Sequence, residues 1–245
     1  METSKVYVRK EDDSFTFLDG VKDCIPTLLG YISIGLAMGV VGVSSGLDIF
    51  AVFLMSLLVY AGSAQFIICA MIAAGSPIGA IVLTTFIVNL RHLLLSSALA
   101  PRFTQYSLLK NIGIGSLVTD ESFGVAITKI SKNIPVTDRW MNGLNITAYT
   151  VWIISCTVGA YAGKWFPDPK TFGLDYALTA MFVALLILQL QTIKRTKLRH
   201  YLFLMAVMVV LMVLLSAVMS SSLAVIVATI ITATIGVVTD NEHNN

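Results

Sequence analysis

The sequence predicts an all-α fold, a polytopic helical membrane protein with about eight transmembrane helices. Three observations predict it. Hydrophobic residues make up 56% of the 245 positions and charged residues only 12%, against roughly half and one quarter in soluble domains. Apolar runs recur that are long enough to cross about 30 Å of hydrocarbon, which takes about 20 residues. The cations fall in short clusters between those runs, so the net charge of +2 describes no continuous basic face of the kind that binds nucleic acid.

Taken in order, residues 1–23 are polar and rich in Asp and Glu. They lack the basic start and apolar centre of a secretory signal and are expected to form a cytoplasmic tail. The predicted spans are Pro26–Val43, Ile49–Ala74, Pro77–Ala100, Ile112–Ile130, Leu144–Gly163 and Tyr176–Ile193. The last apolar tract, Tyr201–Val238, would measure about 55 Å as one helix, nearly twice the membrane. It is therefore expected to turn back at Ser220-Ser221-Ser222 and supply the seventh and eighth spans. Residues 24–238 form one permease domain, followed by a short tail, 239–245. Cys24, Cys69 and Cys156 lie in or beside apolar runs with no CxxC or metal-ligand spacing, and are expected as small buried side chains. Asn145-Ile146-Thr147 matches a glycosylation acceptor by chance, at the edge of a span.

Orientation follows from the positive-inside rule. With the N-terminus inside, the cytoplasmic segments hold Lys5, Arg9, Lys10, Lys22, Lys129, Lys132, Arg139, Lys194, Arg195, Lys197 and Arg199; the outer loops hold Arg102, Lys110, Lys164 and Lys170. Gly46-Leu47-Asp48 and Gly173-Leu174-Asp175 each end an outer loop, an echo that fits two related four-helix halves in parallel orientation.

Polar groups inside the spans carry the functional signal. On the third span Thr85, Asn89, His92 and Ser96, at i, i+4, i+7 and i+11, share one face, while Arg91 lies on a different side with Thr84 and Leu95. The fourth span carries Thr119-Asp120-Glu121 near its centre, and Ser116, Asp120, Gly124 and Thr128 make an i, i+4 row that suits close helix approach. A charged side chain in hydrocarbon costs on the order of 2.5–3.5 kcal/mol even on lenient insertion scales. Two carboxylates at that depth need a cation, a proton or water, and Arg91 and His92 are the expected partners. Such charges serve either to tie two helices together or to line a substrate or proton pathway, for which histidine and buried acids are suited.

The second span contains VYAGSAQF, Val59 to Phe66. Its small residues, Ala61 to Ala64, fit either close packing or a broken helix near residues 60–66, with Tyr60 and Gln65 as polar tips. A discontinuous helix offers unpaired amides to a carboxylate. The candidate pathway residues are thus Tyr60, Gly62, Ser63, Gln65, Asn89, Arg91, His92, Thr119, Asp120 and Glu121. Gly35 with Gly39, and Gly159 with Gly163, are small-xxx-small pairs expected to pack helices. Gln189 and Gln191 are expected as interfacial anchors, and two of Trp140, Trp152 and Trp165 lie near span boundaries, as aromatic belts do. The chain contains no GxxxxGK[ST], HExxH or GxSxG and no Cys/His ligand set. It is expected to take no cofactor or metal and to draw on an ion gradient, not on ATP.

VYAGSAQF, AAGSP at Ala73 to Pro77, NLRHLLLSSALAP from Asn89 and LVTDESFG from Leu117, in this order and spacing, resemble the large subunit of AzlC-type branched-chain amino acid exporters. The resemblance covers the first 130 residues closely and the rest through span number and length. It implies a permease of the bacterial cytoplasmic (inner) membrane, not an enzyme, that exports valine, leucine, isoleucine and sometimes methionine together with a small AzlD-type membrane subunit. Combined with the residues, it implies proton-coupled efflux. The substrate carboxylate would lie against the Gly62-Ser63 amides or Arg91, its ammonium group would face Asp120 or Glu121, and a Leu and Ile wall would receive the side chain. Two other classes fit less of the sequence: a passive channel or non-transporting assembly subunit, and an intramembrane enzyme using His92 with Asp120 and Glu121 as acid and base, which lacks a clear nucleophile.

Overall fold

The structure, a computed structural model, describes residues 15–165, 195–219 and 221–242, with isolated positions between 166 and 194. Among the described residues it is helical and has no strand. Its helices are α1 (Phe17–Ser44), α2 (Ile49–Leu58), α3 (Gly62–Ala73), α4 (Ile78–Leu99), α5 (Leu108–Ser116), α6 (Asp120–Ser131), α7 (Asp138–Gly163), α8 (Arg195–Ser216) and α9 (Ser221–Glu242). The chain divides into two compact units, through Met181 and from Phe182. The predicted sixth span, with Gln189, Gln191 and the second Gly-Leu-Asp, lies outside the described residues.

In the first unit α1 begins well before Pro26, because Thr16 and Asp19 close a capping box ahead of the apolar run. The helix therefore takes in residues 17–23 of the expected tail. Its 28 residues make about 42 Å, enough to cross the membrane. Thr137 caps α7 by accepting the Trp140 amide, without the return bond. The two helices run parallel in one register: Gly20 lies against Leu144, Gly35 against Ser155, and Gly39 against Cys156 and Ala160. The two predicted glycine pairs thus pack on each other, and their missing side chains let the backbones touch. We call the face where α1 and α7 begin the near face, and the other the far face.

The second and fourth predicted spans do not cross; each folds back on itself. Gln65 Nε2 donates to Ser56 Oγ at 3.2 Å, although nine residues of continuous helix would hold these positions about 13 Å apart. At the far face, Val52 near the start of α2 packs on Gly42. Cys69 near the end of α3 lies by Ser45 and by Cys156. The pair α2 and α3 is therefore a hairpin that enters from the far face, turns at Val59-Tyr60-Ala61 and leaves by the same face.

The pair α5 and α6 does the reverse. Lys110 near the start of α5 pairs with Asp138 at 2.8 Å, and Lys129 near the end of α6 pairs with Asp23 at 2.8 Å and lies over the Trp140 ring. Both ends thus sit at the near face, and the turn, Leu117-Val118-Thr119, lies halfway across. The turn separates Ser116 from Asp120, so Ser116 drops out of the expected row; Asp120, Gly124 and Thr128 keep their shared face on α6, where nothing lies within 4 Å of a side chain placed at Gly124. Instead Thr119-Asp120-Glu121 forms a hairpin tip. Arg102 and Lys110, expected in an outer loop, lie at the near face with Lys129 and Arg139.

Between the hairpins α4 crosses from far to near. A long helix followed by a hairpin is therefore built twice in residues 17–131, the second time upside down. The correspondence extends to side chains. Tyr31, the fifteenth residue of α1, reaches the second tip, and Arg91, the fourteenth of α4, reaches the first. This is an inverted repeat of the kind that places transporter sites at the bilayer midplane.

In the second unit α8 and α9 fold back between Ser216 and Ser221, close to the predicted turn. Thr232 lies opposite Met208, and Thr239 opposite His200, an antiparallel register.

Candidate functional site

Each tip leaves backbone groups without helical partners, and hydrocarbon supplies no water to satisfy them. The neighbouring helices supply donors. Tyr149 of α7 donates its hydroxyl to the Leu57 carbonyl of α2 at 2.7 Å. In the second hairpin, Asn145 of α7 donates to the Ile114 carbonyl at 3.1 Å and Ser96 of α4 to that of Gly115 at 2.9 Å. Asn145 is fully buried, a location that admits no glycan. Replacing Tyr149 by phenylalanine keeps its ring on Tyr60 but removes the donor to Leu57. The expected loss is about 1–2 kcal/mol of stability, with faster amide hydrogen exchange at residues 56–64; unchanged exchange there would show the bond to be idle.

The amino ends of the two inner half-helices differ. Thr119 caps α6 through a reciprocal bond with Ser122, whereas Ala61 at the head of α3 provides no side-chain cap. The Gly62, Ser63 and Ala64 amides therefore point into the site, together with the positive end of the helix dipole. Tyr60, just before them, is held at φ +39°, a left-handed conformation that costs a bulky residue of order 1–3 kcal/mol.

Arg91 joins the tips. Its Nη1 lies 2.9 Å from Asp120 Oδ2 of the second tip, and its Nη2 donates to Ser63 Oγ of the first at 2.7 Å. Glu121 follows a different course from the one expected. It accepts the Tyr31 hydroxyl at 3.1 Å and forms no ion pair among the described residues. A phenol has one proton, so while Tyr31 donates to Glu121, Thr119 is the donor in the 2.6 Å bond that it shares with Tyr31. His92 takes neither acid as a hydrogen-bonded partner. Its charge would add to that of Arg91 beside it, and it serves as a polar neighbour, not as a counter-ion. Gln65 is fully buried and accepts from Trp152 Nε1 at 2.9 Å while donating to Ser56, so it braces the first hairpin.

Thr85 Oγ1, Asn89 Oδ1 and Arg91 Nε of α4 are buried without a hydrogen-bond partner among the described residues, and the buried Tyr60 hydroxyl lies beside that of Tyr31. Thr85 and Asn89 belong to the expected stripe on α4, and Ser96 ends it at the second hairpin. Next to that hairpin's tip, Ser96, Leu99, Phe103, Ile114, Gly115 and Val118 line a largely apolar cavity of about 250 Å³. The three cysteines are buried and free, and among the described residues no cluster of His, Cys, Asp or Glu has the makings of a metal site.

Tyr31, Ser56, Tyr149 and Trp152 were not among the sequence candidates. Tyrosine and tryptophan need a partner for their polar atom when buried, so Tyr31 and Trp152 in the middle of apolar runs were the available signal.

Residues 26–166 match a family model described as AzlC protein. Among similar proteins, inner membrane protein YgaZ of Escherichia coli is 29% identical over 184 residues, covering 73% of this chain and 75% of that protein. Branched-chain amino acid transport protein AzlC of Bacillus subtilis is 28% identical over 169 residues, 67% of this chain and 64% of its own length. An uncharacterized membrane protein of Archaeoglobus fulgidus is 28% identical over 177 residues, covering 71% and 76%. No solved structure matches.

Proposed function

The chain belongs to the AzlC family, and from that premise we propose that it is a proton-coupled secondary transporter that exports branched-chain amino acids. The observation that carries the proposal is the meeting of two hairpin tips, entering from opposite faces, at one arginine halfway across. A cargo held between such tips is released to either face by withdrawing one hairpin, so the inverted repeat supplies two gates around one site. The substrate carboxylate takes the Gly62 and Ser63 amides and Arg91, and its ammonium group faces the carboxylates of the second tip. The branched side chain occupies the apolar cavity beneath that tip. The relative from Bacillus subtilis, named for branched-chain amino acid transport, supports the cargo class.

The near face is cytoplasmic in this proposal. Lys22, Arg102, Lys110, Lys129, Lys132 and Arg139 belong to near-face ends and turns of the first unit, while Lys164 follows α7 at the far face, the asymmetry that sets orientation in the cytoplasmic membrane. A small AzlD-type subunit completes the exporter.

Counterflow tests the proposal. Vesicles containing the chain, alone and with a co-expressed small membrane subunit, and loaded with unlabelled leucine, are expected to accumulate labelled leucine, isoleucine and valine. Leucine should protect Ser63→Cys and Asn89→Cys variants from thiol labelling. Absence of exchange in both preparations, with no protection at either cysteine, would remove the assignment of cargo.

A further inference from the structure

We infer that the two adjacent carboxylates of the second tip have separate tasks: Glu121 carries the coupling proton, and Asp120 is reserved as the clasp that holds Arg91 across both tips. The inference rests on the proton-coupled transport proposed above and assigns its ion to one residue.

Asp120 and Arg91 are 2.9 Å apart, and the same guanidinium holds Ser63. Protonating Asp120 would leave the part-buried Arg91 cation without its counter-ion and loosen both tips together. Glu121 has no such commitment. Among the described residues Tyr31 of α1 bonds to it, and Tyr60 of the first tip and His92 of α4 lie within electrostatic reach of it; Asp120, its neighbour on the same helix, is engaged by Arg91.

The group that bonds to it, Tyr31, is neutral and serves either protonation state. Its hydroxyl donates to a carboxylate, or accepts from a carboxylic acid while turning its own proton toward Thr119. Tyr60, whose buried hydroxyl lies beside that of Tyr31, extends this cluster to the first tip. The step is a simple one. A proton from water at the far face adds to a Glu121 oxygen, and the same O–H bond later breaks to water at the near face while the amino acid leaves the other way. No other bond changes.

Dicyclohexylcarbodiimide, which modifies protonated carboxyl groups in apolar surroundings, tests this on the purified chain without need of cargo. Mass spectrometry is expected to find the adduct on Glu121 and not on Asp120, fading as the pH is raised. In vesicles, Glu121→Gln should slow leucine exchange and abolish both its pH dependence and its response to an imposed proton gradient. Asp120→Asn should slow exchange while leaving its pH dependence in place. An adduct on Asp120, or on neither acid, overturns the division of tasks, as does a gradient response that survives in Glu121→Gln. A wild-type chain that exchanges no branched-chain amino acid would instead sink the cargo assignment, and the labelling pattern would still decide which acid holds the proton.

Discussion

Replacing Arg91 by methionine is expected to abolish leucine exchange and to lower stability by about 1.5–3 kcal/mol, the scale of hydrogen bonds to charged groups, since the pair with Asp120 is part-buried, at 29% and 18% exposure. At about 1.4 kcal/mol per tenfold, that loss corresponds to a change on the order of 10–10² in the ratio of folded to unfolded chain. Two contacts fail together: the ion pair to Asp120 and the bond to Ser63. Adding Asp120→Asn removes the stranded carboxylate and should recover most of the stability, read as the melting temperature in detergent, but not transport, because the link between the tips is still absent. Arg91→Lys keeps the charge but gives up the two-pronged geometry, and should retain stability better than activity. Wild-type exchange in Arg91→Met, or no thermal recovery in the double variant, would contradict this role.

The second large effect lies far from the charges. Gly39→Leu is expected to prevent α1 and α7 from assembling, because its side chain would enter the backbone of α7 at Cys156, Gly159 and Ala160. Overpacking against side chains costs about 1–3 kcal/mol. Here the obstruction is backbone, which cannot rotate away, so the loss should exceed about 3 kcal/mol and no monodisperse protein should be recovered in detergent. Gly30→Leu is the control: nothing lies within 4 Å of a side chain placed there, and its effect should stay within about 0.5 kcal/mol. Equal yields of the two variants would show that the helices do not depend on this contact.

These two sites differ in how far they could be read from the sequence. The glycine pairs were legible because spacing by four fixes a helix face and a small residue has few other uses in a membrane helix. The break near Tyr60 was legible from its run of small residues. The grouping of Arg91 with Asp120 followed from the cost of leaving either alone. The fold-back of the hairpins was not legible from apolar length. Ile49–Ala74 is long enough to cross once, and hydropathy does not distinguish one crossing from two half-crossings. Charge carried the missing information. Only with the hairpins folded back do Arg102 and Lys110 leave the outer side and join Lys129 and Arg139. The partner of Glu121 was hidden for another reason: Tyr31 lies 90 positions away, on another helix, and nothing in its spacing ties it to Glu121.

The shortness of α2, α3, α5 and α6 bears on how the chain is made. None of these four is long enough to cross a membrane on its own, whereas α1, α4 and α7 are. During synthesis the three long segments can be inserted one by one, but the half-length ones have nowhere stable to reside until walls exist around them. The tips would then be threaded into a ready-made shell late in biogenesis, after the ribosome has passed α7. Reporter tags placed in the linkers at 45–48 and 74–77 would emerge on the same side of the bilayer, whereas a simple up-and-down chain would separate them.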